Sequence, residues 1–533
     1  MRGEVIFGEN RSEGPLSEST GVASNPVQEF VKACQKNEIR LQAEKNLLTA
    51  SIPVTASSLA LLYERIRNLI DYKADHLLRR NAIQRILTRK IEAGESGTIA
   101  QDLIQELTWA RYLKNDSLPK IKLDKVTKII DKYRLLIANA QDGAENREFI
   151  LGLASVEIER ELVSPFQIDA VIRLMYQVLP PQNIQSFLAI CRSLVKLDRE
   201  NLSYFLLAGH FKNWENALPA EITRIAAEIP QVKRAIRQQL DWPTADYYFR
   251  FAKKFTAPFL VIGDIVFAQA EKASAVLGNP ESLEQAVRKA WDIRFQAAKQ
   301  RFNREATRSV IFIFITKMTI ALILELPLDF FIIHKVNILP LSINLVFPPL
   351  LMFLAVSTIR LPGEENTKRL VEIIKEIASQ GKITRADFSL PAKQKPGWKD
   401  YFFRGIFSAL FVLSFFLVGW LLYRLHFNII SAAIFFFFLS VILFFGFLIR
   451  ESAREMAVVK EKEGLFTSLV DLVSLPFLQV GKWLSGQLVK LNVFAFILDV
   501  IIEAPVKGFI QIVEDWVSFL RERKEEAVTN LPR

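Results

Sequence analysis

The chain has 533 residues, of which 50% are hydrophobic and 23% are charged, and its formal net charge is +11. This length predicts two or three structural units and argues against a single soluble domain. The positive charge is compatible with either nucleic acid or the anionic leaflet of a membrane as a partner. The two cysteines, Cys34 and Cys191, lie far apart and indicate neither a disulfide framework nor a thiolate metal site.

The first half of the chain reads as a soluble, helical region. Residues 1–26 are rich in Gly, Ser and Glu and lack the apolar core of a signal peptide, so they are predicted to be disordered. Residues 27–306 show helical periodicity almost throughout, without a convincing strand pattern. They predict a basic helical bundle on the cytosolic side.

The longest predicted helix of this bundle, Ser57–Ile91, has one apolar and one basic side. The basic side either binds an acidic surface or is a solvated face paired with nearby acids. Only Tyr72 lies among the cations, which disfavours base stacking and therefore nucleic acid as the partner. The candidates for binding an acidic surface are Arg79, Arg80, Arg85, Arg89 and Lys90.

The end of the bundle predicts two long helices, around Tyr247–Leu277 and Ser282–Ala306. The second opens with Ser282 and Gln285 at the spacing of a capping box. The apolar run Phe255–Phe267 is too short to cross a membrane and predicts a buried helix, with shallow membrane insertion as the alternative.

The second half contains four apolar runs long enough to cross a hydrocarbon layer of roughly 30 Å at about 1.5 Å per residue. They predict two transmembrane hairpins, at residues 309–359 and 405–450, in a multi-pass protein of the cell membrane. Lys and Arg crowd the flanks before, between and after the hairpins, which places both termini in the cytosol. The four predicted spans are Ser309–Ile333, Leu339–Ile359, Gly405–Leu422 and Ile429–Ile449.

The cytosolic connection, residues 360–404, carries a short amphipathic helix. Asn366 is predicted to cap its start and Gly381 to end it. Its apolar face lies either on the bilayer or on the soluble domain. That face consists of Leu370, Ile373, Ile374 and Ile377.

The C-terminal region, residues 464–520, is apolar but interrupted by charges, Pro and Gly, which argues against a plain span. A narrow polar stripe that includes Asp499, Glu503 and Lys507 predicts interfacial helices or, alternatively, helices that re-enter the membrane. Residues 521–533 form a polar tail that leaves the membrane.

Charged side chains in the first predicted span are candidates for an intramembrane site. Lys317, Glu325 and Asp329 interrupt its apolar sequence, and Asn344 does so in the second span. Two close carboxylates in a low dielectric resist double ionisation, as a proton or cation relay requires. The alternative is a shifted or kinked span whose charges reach the two surfaces.

The sequence therefore predicts an all-α protein with a soluble helical bundle followed by about four spans. It contains no recognisable catalytic motif, metal site or cofactor site. The favoured function is a non-enzymatic membrane protein that anchors a cytosolic domain, which binds a protein partner or organises an assembly at the inner face. The alternatives are an oligomeric transporter or channel that uses the charges of the first span, and a lipid-modifying enzyme that uses Asp499, Glu503 and Lys507.

Overall fold

The structure is a computed structural model, and the chain is all helical among the residues that it describes. The prediction of an all-α fold is confirmed. The described residues are 25–44, 75–93, 99–110, 112–113, 119–140, 143–163, 166–211, 213–320, 338–357, 359, 362–384, 386, 388–390, 397–454 and 472–484.

The chain divides into two compact units, with the division between Ala252 and Lys253. The first unit holds ten α-helices and one short 3₁₀ helix, Trp214–Asn216, among its described residues, and the last α-helix runs one residue past the division. In chain order they are α1 Pro26–Glu44, α2 Asp75–Glu92, α3 Ile99–Trp109, α4 Lys120–Asn139, α5 Ala144–Val163, α6 Phe166–Val178, α7 Ile184–Leu194, α8 Arg199–His210, α9 Pro219–Leu240 and α10 Ala245–Lys253.

The first unit is built around α5, whose residues Ile150–Glu159 are all buried and which packs against α2, α4 and α8. A helix that is buried all round leaves its polar residues without water, so each needs a partner. Glu157 of α5 meets this requirement: one carboxylate oxygen lies 2.5 Å from Lys132 Nζ, and the other accepts from the Tyr133 hydroxyl and the Trp214 indole N–H. All four side chains are buried.

The second unit contains eight helices among its described residues. They are α11 Thr256–Ala268, α12 Ala270–Gly278, α13 Pro280–Ile320, α14 Ile338–Ser357, α15 Glu364–Gln380, α16 Trp398–Arg424, α17 Ile429–Arg454 and α18, residues 472–484.

Three of these helices are long and apolar enough to cross a membrane, at Leu339–Ser357, Tyr401–Arg424 and Ile429–Glu451. They match three of the four predicted spans. The remaining one, Ser309–Ile333, begins in α13 and continues outside the described residues, so it stays a prediction. The spans α14 and α17 run in the same direction, because Asn344 meets Ser431 at one end and Ala355 meets Gly446 near the other.

The helix α13 joins two environments within the second unit. It has 41 residues, which corresponds to roughly 60 Å. It packs against α11, α12 and α15 and also against the spans α14 and α17. Its apolar C-terminal part contributes Ile313 to a buried cluster with Met352 and Ile442. One continuous helix therefore connects the charged helices of this unit to its apolar bundle.

For both α11 and α15, the sequence left open whether the apolar surface contacts protein or the membrane. The apolar run Phe255–Phe267 forms most of the buried helix α11, as predicted. The apolar face of α15, with Leu370, Ile374 and Ile377 fully buried, packs against α11 and α13. It is covered by protein and not by a bilayer.

Several predicted helix ends are wrong. The stretch Tyr247–Leu277 forms α10, α11 and α12, and Pro258, which lacks an amide N–H, lies in the first turn of α11. Asn279, and not Ser282, caps α13 by accepting from the amides of residues 281 and 282. Gly363 precedes α15, and Asn366 is buried inside it, whereas Gly381 ends α15 in the left-handed conformation as predicted.

Candidate functional site

The basic side chains of α2 are drawn into ion pairs within the first unit. Arg80 is 5% exposed, and Arg79, Arg80, Arg89 and Lys90 each pair with an acidic residue outside α2. This agrees with the alternative that the basic side is a paired face. Binding of an acidic surface by this set stays a prediction. The pairs are Arg79–Glu159, Arg80–Asp198, Arg89–Glu106 and Lys90–Asp102.

The predicted intramembrane residues are only partly placed. Lys317 belongs to α13, one turn beyond the buried Ile313, and Asn344 is fully buried in α14. The Asn344 amide donates to the backbone carbonyl of Ser431 in α17 at 3.2 Å. Asn344 thus links two spans. The other candidates, Glu325, Asp329, Asp499, Glu503 and Lys507, lie outside the described residues.

A different feature of the first unit presents exposed side chains of the types that bind proteins. At the corner where α9 gives way to α10, Trp242 is 42% exposed and Tyr247 is 41% exposed. Backbone hydrogen bonds of 3.0 Å, from Ala245 to Trp242 and from Tyr247 to Thr244, fix this turn. We call Trp242, Tyr247 and Arg250 the α9–α10 corner.

The corner is held rigid from beneath by the buried side of α10. Tyr248 is buried, and its hydroxyl accepts a hydrogen bond of 3.2 Å from the Asn183 amide at the start of α7. Ala252, one turn further, is also buried. Since residues four apart share a helix face, Tyr248 and Ala252 anchor α10 while Tyr247 and Arg250 remain exposed.

Arginines line the corner and are oriented by aromatic rings and one acid. The Arg250 guanidinium lies 4.7 Å from the Tyr247 ring centroid, and that of Arg192 lies 4.9 Å from the ring of Phe249. Arg199 donates to Asp241 at 2.8 Å. This hydrogen bond lowers the pKa of the Asp241 carboxyl and raises that of the Arg199 guanidinium. Both groups therefore stay charged at neutral pH.

A small cavity of about 70 Å³ lies beside the corner, between α7, α8 and the end of α9. It is far below the roughly 300 Å³ of a small-molecule site. It has room for the tip of one side chain, with Arg192 and Arg199 at its wall and Leu188 and Leu202 among its lining residues. The geometry suits a protruding side chain of a macromolecule better than an enclosed ligand.

Exposed Trp, Tyr and Arg side chains on a rigid support are the residues that most often dominate protein–protein binding energy. This corner was not predicted from the sequence. Its signal was available in the stretch 242–254, which contains four aromatic side chains after Trp242 and three cations. Among the described residues, no group of His, Cys, Asp or Glu could hold a metal ion.

Comparison of the chain with protein-family models, with curated proteins and with solved structures found no match.

Proposed function

We propose that this protein is an integral membrane protein that binds a protein partner through the α9–α10 corner of its anchored helical part. Three helices of spanning length support the membrane location. The exposed pair Trp242 and Tyr247 with its supporting arginines is the observation that carries partner binding. No catalytic role for the chain is part of the proposal.

The anchoring is supported by contacts within the second unit. Ion pairs fasten its charged helices to one another: Arg294 of α13 binds Asp264 of α11 through two bonds of 2.7 Å, and Lys375 of α15 binds Glu284 of α13 at 2.6 Å. Lys253 binds Glu451, at the end of the span α17, at 2.5 Å. The helix α13 and the Lys253–Glu451 ion pair therefore connect these charged helices to the spans.

The proposed orientation follows from the directions of the spans. Because α14 and α17 run in parallel, their C-terminal ends and the start of α16 lie on one side, together with α15. Exposed cations on this side include Arg304, Arg308 and Arg404, whereas the end of α16 and the turn after it, on the other side, expose Arg424 and His426. The excess of Lys and Arg favours a cytosolic location for the α15 side.

Site-specific photo-crosslinking in native membranes tests partner binding. A photoreactive residue at Trp242 should give a discrete adduct, and one at Leu218, an even more exposed apolar site at the other end of α9, should not. Tyr247→Ala together with Arg250→Ala should weaken the adduct by roughly 30-fold, the equivalent of about 2 kcal/mol for one interface hot spot. Equal labelling from Trp242 and Leu218, or an adduct insensitive to the double variant, would refute the proposal.

The transporter alternative stays a prediction, because Glu325 and Asp329 lie outside the described residues. Solute or proton flux in proteoliposomes separates the two functions. Flux that is abolished by Glu325→Gln and unchanged by Trp242→Ala would favour transport. No flux, together with a photo-crosslinked adduct that Trp242→Ala abolishes and Glu325→Gln leaves unchanged, would favour partner binding.

A further inference from the structure

One face of the long helix α13 changes from charged to apolar along its length. Arg304 and Arg308, four residues apart, are both exposed. Three and seven residues beyond Arg308, Ile311 and Ile315 are 51% and 57% exposed. Residues three and four apart share a helix face, so these four side chains form one continuous surface. We call it the Arg–Ile face.

The opposite side of α13 packs against the spans. Ile313 is buried in a cluster with Met352 of α14 and Ile442 of α17, and Ala306, seven residues earlier, is also buried. Because an α-helix turns by about 100° per residue, Ala306 and Ile313 lie roughly opposite the Arg–Ile face. That face therefore points away from the neighbouring helices of the bundle.

The helix α13 runs antiparallel to the span α14. The span ends at Ser357, and Glu364, seven residues later, accepts a hydrogen bond of 2.8 Å from Arg288 in the N-terminal part of α13. The cluster around Ile313, further along α13, contains Met352 from inside the span. The C-terminal end of α14 therefore lies toward the N-terminal part of α13.

This antiparallel packing places Arg308 at the level where the span α14 ends. Arg308 precedes Ile313 by five residues, and Ser357, the last residue of the span, follows Met352 by five. Since Ile313 and Met352 belong to one cluster, Arg308 lies close to the level of Ser357. The two isoleucines of the Arg–Ile face then lie at the level of the apolar span, and Arg304 lies about 6 Å further out.

The two arginines are placed to bind lipid phosphate. The headgroup layer on each side of a bilayer is about 5–7 Å thick, so Arg304 and Arg308 both fit within it. Among the described side chains, neither forms an ion pair with an acid. Residues 299–308 carry four cations, at positions 299, 301, 304 and 308, and one acid, at 305. A guanidinium donates two parallel hydrogen bonds to a phosphate, which suits it to this layer.

We propose that the Arg–Ile face binds an anionic phospholipid. Arg304 and Arg308 hold its phosphate, and an acyl chain lies along Ile311 and Ile315. A zwitterionic lipid carries a compensating ammonium group beside its phosphate, so a basic face favours lipids with a net negative charge. The inference rests on the proposed membrane location and goes beyond partner binding, because it gives the second unit a ligand of its own.

Quenching of a fluorophore on the face tests this lipid preference. In a Cys34→Ala/Cys191→Ala background, the full chain is labelled at Ile311→Cys and reconstituted in phosphatidylcholine bilayers. Increasing fractions of phosphatidylglycerol or of phosphatidylcholine, each with brominated acyl chains, are then added. Brominated phosphatidylglycerol should quench half-maximally at a mole fraction at least about fivefold lower, since one surface cation contributes roughly fivefold to affinity for anionic lipid. Equal quenching by the two lipids would overturn the proposal.

Two charge variants test whether these arginines cause the preference. Arg304→Gln/Arg308→Gln should reduce it below about twofold. Lys272→Gln/Lys289→Gln removes the same charge from exposed positions of α12 and the N-terminal part of α13 and should leave the preference intact. Lys289 precedes Arg308 by 19 residues, which is about 28 Å along the helix. A preference that survives the arginine substitutions, or one that both variants abolish alike, contradicts a site at the Arg–Ile face.

The same probe separates this inference from the proposed function. Quenching by neither lipid would show that position 311 does not contact acyl chains, which contradicts the membrane boundary on α13. Strong but equal quenching by both lipids would leave the membrane location intact and remove only the binding of an anionic headgroup. Neither result depends on binding at the α9–α10 corner.

Discussion

The two units of the chain bury different chemistry. The first unit encloses a charged network, in which Glu157 is satisfied by Lys132, Tyr133 and Trp214. The apolar bundle of the second unit encloses aromatic rings and single polar groups such as Asn344. In its three span-length helices, 22%, 11% and 39% of the apolar windows are buried, so most of their apolar surface faces outward. The first unit therefore pairs its buried polar groups, whereas three helices of the second unit are long and apolar enough to cross a membrane.

The two regions differ in the number of partners that a buried polar group has. Burial lowers the pKa of Lys132, against the raising effect of Glu157, and raises that of Tyr133 well above its ordinary value. The network holds because each group is compensated by its neighbours. In the bundle, one amide–carbonyl bond joins two helices that already pack through Phe347 and Phe435. A single substitution should therefore reduce stability strongly in the Glu157 network and only slightly at Asn344.

The largest expected effect is at Glu157. Glu157→Ala leaves the Lys132 ammonium, the Tyr133 hydroxyl and the Trp214 N–H without their buried acceptor, so the free energy of unfolding of the first unit should fall by about 3–5 kcal/mol. Lys132→Met with Glu157→Leu, which removes both charges, should recover much of this loss. Pulse proteolysis in urea on the purified full chain measures both. A loss under about 1 kcal/mol for Glu157→Ala would show that the network is dispensable.

A smaller effect is expected at Asn344. Asn344→Leu removes one hydrogen bond between spans, and such bonds contribute about 0.6–2 kcal/mol because alternative partners exist within a membrane. The variant should insert normally and unfold only slightly more readily in a steric-trapping or detergent-unfolding assay. A loss as large as that of Glu157→Ala would erase the contrast between the units and assign Asn344 a role beyond packing.

The smallest effect is a pH dependence of the charged helices of the second unit. Hydrogen bonds from Lys375 and Arg288 lower the pKa of Glu284 from its ordinary value of 4.5. A lowered folded-state pKa gives stability that is present above pH 4.5 and is lost as the pH falls through the folded value. Wild-type protein should therefore lose stability below this pH more steeply than Glu284→Gln, and high salt should weaken the difference. Identical acid profiles for both proteins at low salt would contradict the ion pair.

Periodicity and apolar length were sufficient to predict the all-α fold, three spans and the buried helix α11. They failed at helix boundaries, which depend on single residues such as Pro258, which lacks an amide N–H, and Asn279, whose side chain accepts from two backbone amides. The partners of Arg79 and Arg80 could not be predicted, because Glu159 and Asp198 lie 80 and 118 residues away in sequence. The stretch 242–254 carried a signal for the α9–α10 corner, but which of its side chains stay exposed depends on which helices become neighbours.

The account depends most on the claim that α14, α16 and α17 cross a membrane and leave α15 on the cytosolic side. Cysteine labelling in sealed cells tests it, in the Cys34→Ala/Cys191→Ala background, with single probes at Glu365 in α15 and at Arg424 at the end of α16, both exposed. The account predicts that a membrane-impermeant maleimide labels Arg424→Cys in intact cells and labels Glu365→Cys only after the cells are opened. Labelling of both positions from the same side would contradict a crossing by α16 and with it the anchored architecture.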